Sequence, residues 1–199
     1  MRTVKSIIAV SFMLIGLNVS AQNPEKALKV GEKAPMFELT NSVNKNVSLE
    51  KLLKKGPIVL VWYRGGWCPY CNLALNNLQE ALPQIKKLKA QLVAITPEVP
   101  DSSFTTKERN NLKFEVLSDI NNQVGRKYGL VYKLSPDVEK MYESKIGLSK
   151  YNGNKSAELP MPATYIIDKE GVIRYAFVDA DYKKRADPNE VIKALRELK

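Results

Sequence analysis

The sequence has no histidine and only two cysteines among its 199 residues, and these shortages exclude several classes of function. Without histidine there can be no cysteine–histidine hydrolase dyad. A structural zinc site normally takes four cysteine or histidine ligands, so we predict no metal and no cofactor. Because both cysteines lie in one motif, disulfides cannot hold distant parts of the fold together, and a hydrophobic core must do so.

Concentrated positive charge is also missing, although the formal net charge is +10. The lysines are spread along the chain with glutamates between their clusters, and there is no arginine-rich tract or aromatic-basic stripe. This distribution predicts a solvated lysine surface and no nucleic-acid partner.

Long apolar runs are scarce, and one lies near the start of the chain. Arg2 and Lys5 precede an apolar stretch, residues 7–17, and the small residues Val19-Ser20-Ala21 follow it. The stretch is shorter than the roughly 20 residues that span a bilayer, which favours a signal peptide over an uncleaved membrane anchor. We therefore expect cleavage after Ala21, no stable membrane anchoring afterwards, and export, most simply to a bacterial periplasm.

Residues 22–199 fit one α/β domain. The run Pro57–Tyr63 is continuously apolar and β-branched, which is typical of a strand buried on both faces of a parallel sheet. Pro69 opens a segment with helical spacing that extends to about Lys89, and Gln91–Thr96 predicts the next strand. Together these segments predict a right-handed βαβ unit.

The alternation of strands and helices continues towards the C-terminus. Residues 131–160 fit it less well and predict an insertion over one end of the sheet, with a helix near Val138–Lys145. The other predicted elements are helices at Lys107–Leu112, Asn122–Tyr128 and Pro188–Leu198 (with Asp187 as N-cap), and strands at Phe114–Leu117, Thr164–Ile167 and Val172–Phe177, the last two joined by the turn Asp168–Gly171.

Both cysteines lie in WYRGGWCPYCNL, residues 62–73, with two residues between them. Closing so small a loop by a disulfide would stabilise the fold by roughly 2 kcal/mol, against about 4.7 kcal/mol for a hundred-residue loop. A stapling function would favour more distant partners. The spacing therefore indicates that Cys68 and Cys71 react with each other.

The predicted elements give this pair a geometry. Cys68 lies where a buried strand gives way to a helix, and Cys71 lies one turn inside that helix. The free N–H groups and dipole at a helix start stabilise an anion, so we expect a lowered pKa at Cys68. Arg64 is the nearest candidate cation, with a surface arginine as the alternative, and Trp67 either shields the sulfurs or simply packs.

Four motifs resemble those of thioredoxin-fold proteins, and more closely the alkyl hydroperoxide reductase and thiol-specific antioxidant family, the peroxiredoxins. The similarity covers about residues 28–198. It is carried by Val30-Gly-Glu-Lys-Ala-Pro35, the strand ending in Trp62-Tyr63, Trp67-Cys-Pro-Tyr-Cys71, and Met161-Pro-Ala-Thr-Tyr-Ile-Ile-Asp168 followed by Gly171.

The resemblance implies a thioredoxin-like fold with a central mixed sheet flanked by helices. It also implies a redox cycle in which Cys68 attacks a peroxide, becomes a sulfenic acid and is resolved by Cys71. The Cys68–Cys71 disulfide would then be reduced by a thioredoxin-like partner. Met161 and Pro162 correspond to the segment that faces the cysteine pair in thioredoxins, which implies a cis Met161–Pro162 bond.

The chain departs from the peroxiredoxin pattern at three positions. Typical members have a threonine or serine three residues before the reactive cysteine and a proline seven before it, where this chain has Gly65 and Val61. They also have an arginine at the position of Pro162. A peroxidase of hydrogen peroxide or alkyl hydroperoxides is the first hypothesis. Because of these departures, an exported thiol–disulfide oxidoreductase acting on protein disulfides is the second, and a non-enzymatic binding module is the third.

Overall fold

The structure, a computed structural model, describes residues 22–198. The predicted signal peptide, residues 1–21, lies outside them. The strands are β1 (Glu38–Asn41), β2 (Asn46–Ser48), β3 (Ile58–Trp62), β4 (Gln91–Thr96), β5 (Glu115–Ser118), β6 (Val131–Lys133), β7 (Glu158–Pro160), β8 (Ala163–Ile167) and β9 (Ile173–Val178). The α-helices are α1 (Leu49–Leu53), α2 (Pro69–Lys87), α3 (Pro100–Arg109), α4 (Gln123–Lys127), α5 (Pro136–Ile146), α6 (Leu148–Asn152) and α7 (Pro188–Glu197), with 3-10 turns at Pro24–Lys26 and Ile120–Asn122.

Seven strands form one mixed sheet in the order β2-β1-β5-β4-β3-β8-β9. Strands β3, β4 and β5 run parallel, while β8 pairs antiparallel with β3, and β1 with β5. Helices flank this sheet, so the predicted fold class is confirmed. Among residues 22–198, no helix has the length and apolarity that crossing a membrane requires.

Strand β3 lies inside the sheet, and all five of its side chains are buried. Val59 and Val61 pack on one face, with α2 and α7, and the other three side chains pack on the opposite face, with α1 and α4. The run is apolar throughout because the sheet is covered on both sides. The predicted strand is confirmed.

Helix α2 begins where predicted, with Pro69 at its first position and Cys68 as its N-cap. Proline suits this position because its missing N–H would have no partner in the helix. The predicted apolar face, Leu75, Leu78, Leu82 and Ile85, is buried against the sheet. The helix ends at Lys87, two residues before the predicted end.

The helix predicted at Lys107–Leu112 is wrong at both ends. Helix α3 begins at Pro100, again with proline in the first turn, and ends at Arg109. Asn111 has φ +48°, in the left-handed region, which is incompatible with a continuing helix. The predicted cap of α7 is confirmed, because the Asp187 carboxylate accepts the N–H of Asn189 at 2.8 Å.

Residues 131–160 contain more structure than the single helix near Val138–Lys145. Strands β6 and β7 form an antiparallel ribbon, and α5 and α6 lie between them in the chain. The segment has its own apolar cluster, against which Trp67 also packs. It therefore lies beside the carboxyl end of β3, where the cysteine motif begins.

The predicted cis Met161–Pro162 bond is wrong, because residues 22–198 contain no cis peptide. The Met161 N–H donates to the carbonyl of Leu130 at 2.8 Å and so continues the β6–β7 ribbon into β8. An X–Pro bond retains a trans preference of about 0.5–1 kcal/mol unless the fold opposes it.

Candidate active site

Cys68 is the N-cap of α2 and is 2% exposed. Its pKa is lowered from 9.0 to about 6, first because the Cys71 thiol donates a hydrogen bond to it. The Cys71 backbone N–H and the charges of Arg64 and Arg185 act in the same direction, while burial opposes them. At neutral pH, Cys68 is therefore mainly a thiolate, which is the nucleophilic form of cysteine.

Cys71 is 0% exposed, and its thiol is not joined to that of Cys68. Its hydrogen bond to Cys68 and its burial raise its pKa well above the ordinary range. One thiol is thus ionised and the other protonated. This is the order expected for Cys68 as nucleophile and Cys71 as resolving thiol, and the assignment of these roles stays a prediction.

Arg64 is buried, with 2% exposure, which excludes the alternative of a surface arginine. Its guanidinium carbon lies 5.0, 5.4 and 4.4 Å from the ring centroids of Trp67, Tyr142 and Tyr182, and we call these three rings the aromatic cage. Nη2 donates to the Tyr142 hydroxyl at 2.7 Å. In the part of the chain that the structure describes, Arg64 forms no salt bridge, so its charge is available to the Cys68 thiolate.

Trp67 packs against the core on the face of the sheet that also carries Cys68 and Cys71. Its ring is half-buried, contacts the cluster that contains both cysteines, and packs at a tilt against the Tyr142 ring, with 5.2 Å between the ring centroids. Gly65 permits this position, because a Cβ at residue 65 would overlap the Trp67 ring and its φ of +153° disfavours other residues.

Met161 and Pro162 are both buried. Met161 packs in the cluster formed with residues 131–160, against which Trp67 also lies. Pro162 immediately precedes Ala163, which pairs with Trp62 across the β3–β8 ladder. Both residues therefore lie next to the strand that leads into the motif, with Pro162 in the trans form.

Glu98 is a site residue that the sequence reasoning missed. It is 0% exposed, and its carboxylate accepts the Gly66 N–H at 3.0 Å and the hydroxyls of Tyr63 and Thr106 at 3.3 and 3.4 Å. Burial raises its pKa. A signal was present, because Glu98 follows β4 as Arg64 follows β3, and carboxyl ends of adjacent parallel strands meet at one edge of a sheet.

Arg185 and Tyr182 were also missed. Nη2 of Arg185 lies 3.4 Å from Cys71 Sγ, and Tyr182 completes the aromatic cage around Arg64. Both come from the irregular segment between β9 and α7. No periodicity or strand register in the sequence fixes where such a segment runs.

The site therefore combines an ionised thiol, a second thiol in hydrogen-bond contact with it, and two arginines without carboxylate partners between residues 22 and 198. A thiolate can attack an electrophilic oxygen or sulfur, and the neighbouring thiol can then close a disulfide. Arginines beside such thiols can stabilise negative charge as it develops. In the same described range, no three cysteine or acidic side chains cluster as metal ligands.

Comparison with known proteins gives three kinds of similarity. The profile of the AhpC/TSA family matches residues 30–176. The chain is 31% identical over 103 residues to a putative peroxiredoxin bcp of Buchnera aphidicola, a match that covers 52% of this chain and 65% of that protein. It is 22% identical over 150 residues to thiol-disulfide oxidoreductase ResA of Bacillus thuringiensis, covering 75% and 69% of the two chains.

The fold is similar to that of peroxidoxin BcpB from Mycobacterium tuberculosis, whose crystal structure superposes with a TM-score of 0.71 at 18% identity. The superposition covers 86% of this chain and 99% of that one.

Proposed function

Because this chain belongs to the AhpC/TSA family, and so to the peroxiredoxin-like oxidoreductases, we propose that it reduces hydrogen peroxide or alkyl hydroperoxides through Cys68 and Cys71. The observation that carries the proposal is the position of Cys68 as N-cap of α2 with Cys71 one turn inside the helix, both buried and both free thiols. A nucleophile and a resolving thiol are thus already adjacent.

The first step is attack of the Cys68 thiolate on the distal peroxide oxygen. The S–O bond forms as the O–O bond breaks, Cys68 becomes a sulfenic acid, and the leaving alkoxide or hydroxide takes up a proton. Negative charge moves from sulfur to the leaving oxygen. Arg64, buried in the aromatic cage, stabilises this charge in place of the hydroxyl and arginine that typical members have.

The second step forms the Cys68–Cys71 disulfide with release of water, and an external dithiol then reduces it. The proposed reductant is a thioredoxin-like protein, because its paired thiols perform this exchange. The proposed location is outside the cytoplasm, from the predicted signal peptide. N-terminal sequencing of the protein recovered from a periplasmic fraction tests the location, since a chain that retains residues 1–21 would contradict it.

A second candidate function is reduction or oxidation of protein disulfides. Gly65 and Pro162 favour it, because they stand where typical peroxiredoxins have the peroxide-binding hydroxyl and arginine. The similarity to thiol-disulfide oxidoreductase ResA points in the same direction. The same Cys68 thiolate would attack a disulfide sulfur instead of a peroxide oxygen.

One paired assay separates the two candidates. The reduced protein, residues 22–199, is mixed with hydrogen peroxide and, separately, with a model protein disulfide, and both second-order rates are measured. We expect peroxide to react faster than it does with a free thiolate of equal pKa. Cys68→Ser should abolish both reactions, and Cys71→Ser should leave a sulfenic acid on Cys68. A wild type that reduces the protein disulfide rapidly but reacts with peroxide no faster than that reference thiolate would assign the second function.

A further inference from the structure

We propose that Arg185 is a further catalytic residue, which stabilises the Cys71 thiolate when the Cys68–Cys71 disulfide forms. The inference rests on the proposed function, because it concerns the second step of that cycle. Nη2 of Arg185 lies 3.4 Å from Cys71 Sγ, within hydrogen-bond distance of a sulfur acceptor. The two residues are 114 positions apart in the chain, so the fold brings this charge to the sulfur.

Cys71 needs such a group because it is fully buried and packs among apolar side chains of β3 and α2. A thiolate there has no water to solvate it, and burial alone opposes its formation. The Arg64 backbone N–H is a neutral donor to this sulfur. Across residues 22–198, no cationic side chain other than Arg185 lies within hydrogen-bond distance of it.

The guanidinium of Arg185 is held in place by neutral groups. Nη1 donates to the carbonyls of Tyr182 and Lys184. Within the described residues it forms no salt bridge, and its buried Nε has no hydrogen-bond partner. Its positive charge is therefore not neutralised by a carboxylate and acts on the sulfur.

The redox cycle changes what Cys71 contacts. In the reduced site, the Cys71 thiol donates to the Cys68 thiolate, and this bond holds the proton on Cys71. Once Cys68 is a sulfenic acid, that anionic acceptor is gone, while Arg185 remains. Cys71 then loses its proton and attacks the Cys68 sulfur; the S–S bond forms, the S–O bond breaks, and the departing hydroxide combines with a proton to give water.

The same contact acts when the disulfide is reduced. An external thiolate that attacks the Cys68 sulfur expels Cys71 as a thiolate, and a stabilised leaving thiolate departs faster. Arg185 therefore affects Cys71 in both directions of the exchange. The Arg185 hydrogen bond is to Cys71, whereas Arg64 has the larger charge effect of the two on Cys68, so their main effects fall on different steps.

The test compares Arg185→Gln with Lys183→Gln, a matched loss of charge two residues away that lines the same groove beside α2. The reduced proteins, residues 22–199, receive one equivalent of hydrogen peroxide at about pH 8, where Cys68 is ionised because its pKa is about 6. Dimedone trapping follows the sulfenic acid, and loss of free thiols measured by quench mass spectrometry follows the disulfide.

In Arg185→Gln we expect disulfide formation to slow about ten- to a hundredfold, the size expected for a lost charge-assisted hydrogen bond. Sulfenic acid should accumulate, while its formation changes by less than about threefold. Lys183→Gln should match the wild type, and Arg185→Lys should recover part of the rate, which a purely structural role would not predict. Disulfide formation at the wild-type rate in Arg185→Gln would overturn the proposal.

A second readout does not need peroxide. If the wild type fails to react with peroxide, the proposed function fails, and the disulfide is instead prepared with diamide and reduced with dithiothreitol. Slower reduction of Arg185→Gln by a similar factor would still support Arg185 as the residue that stabilises the Cys71 thiolate. Equal rates of reduction would overturn its role independently.

Discussion

Two regions of the molecule contribute differently to the site. We call residues 58–87, which contain β3 and α2, the frame, and residues 131–160 the cover. The frame supplies both thiols, and the start of α2 places one inside hydrogen-bond reach of the other. The cover supplies no thiol, but Tyr142 contacts Arg64 and Trp67. The comparison indicates that the frame determines which chemistry occurs and the cover adjusts the surroundings of one cation.

The largest expected effect comes from replacing Glu98, whose carboxylate accepts the Gly66 N–H in the loop between β3 and α2. Glu98→Ala leaves the buried Gly66 N–H and the Tyr63 hydroxyl without their acceptor, while the Thr106 hydroxyl keeps its hydrogen bond to the Ser102 carbonyl at 3.0 Å. We expect the free energy of unfolding to fall by about 2 to 4 kcal/mol, measured by urea denaturation. Activity should fall with it, because Gly66 lies in the loop that leads to Cys68.

Glu98→Gln is the matched control, since its amide oxygen still accepts the Gly66 N–H. Because burial raises the pKa of Glu98, the folded state favours the protonated carboxyl, and this contribution is lost as pH rises through that pKa. Glu98→Gln should remove that part of the pH dependence. If Glu98→Ala were as stable as the wild type, the frame would not depend on this carboxylate.

The same comparison explains what the sequence could predict. The frame was predicted almost to the residue, because an apolar run buried on both faces and a proline after Cys68 are local signals. Glu98 was predictable in principle from the shared edge of β3 and β4. Tyr142, Tyr182 and Arg185 were not, because they reach the site from segments whose position depends on tertiary packing, without a register that the sequence displays.

The trans Met161–Pro162 bond shows a different limit of prediction from sequence. The motif around Pro162 predicted a cis bond by resemblance alone. In the structure the Met161 N–H pairs with the Leu130 carbonyl, which extends the β6–β7 ribbon by one residue just before Pro162. A local resemblance could not reveal a contact made by an insertion.

The second prediction concerns Arg64, the frame residue that Tyr142 of the cover contacts. Arg64→Ala should slow peroxide attack on Cys68 by about 1 to 3 kcal/mol of barrier, or roughly 5- to 150-fold, because a charge-assisted contact in the transition state is lost. Stopped-flow measurement of sulfenic acid formation gives this rate. The rate for Arg64→Lys should lie between those of the wild type and Arg64→Ala, since an ammonium keeps the charge but not the planar contact of a guanidinium with the rings.

The matched control for Arg64→Ala is Arg126→Ala, which removes an exposed guanidinium paired with Glu158 at 2.8 Å. This variant should keep the wild-type rate, since surface ion pairs contribute little. An unchanged rate in Arg64→Ala would remove Arg64 from the reaction and leave the helix start as the main source of stabilisation.

The third prediction concerns the pKa of Cys68 and whether the frame lowers it. Because the pKa of Cys68 is lowered to about 6, its thiolate predominates above that pH and is lost as pH falls through it. The rate of alkylation by iodoacetamide should therefore be about tenfold lower at pH 5 than at pH 7. Cys71→Ala should move the midpoint upwards, because the Cys71 hydrogen bond is the largest cause of the shift. A wild-type midpoint near the ordinary value of 9.0 would contradict this account.

The smallest expected effect belongs to the cover. Tyr142→Phe removes the 2.7 Å hydrogen bond from Arg64 Nη2 but keeps the ring that packs against Trp67. The guanidinium keeps all three rings of the aromatic cage, so we expect peroxide attack to slow by only about 0.5 to 1 kcal/mol, or two- to fivefold, with the Cys68 midpoint unchanged. Tyr151→Phe, in α6 of the same cover, is the control and should have no effect on either measurement. If Tyr142→Phe lost as much rate as Arg64→Ala, the position of Arg64 would depend on the cover, and the division between the two regions would be wrong.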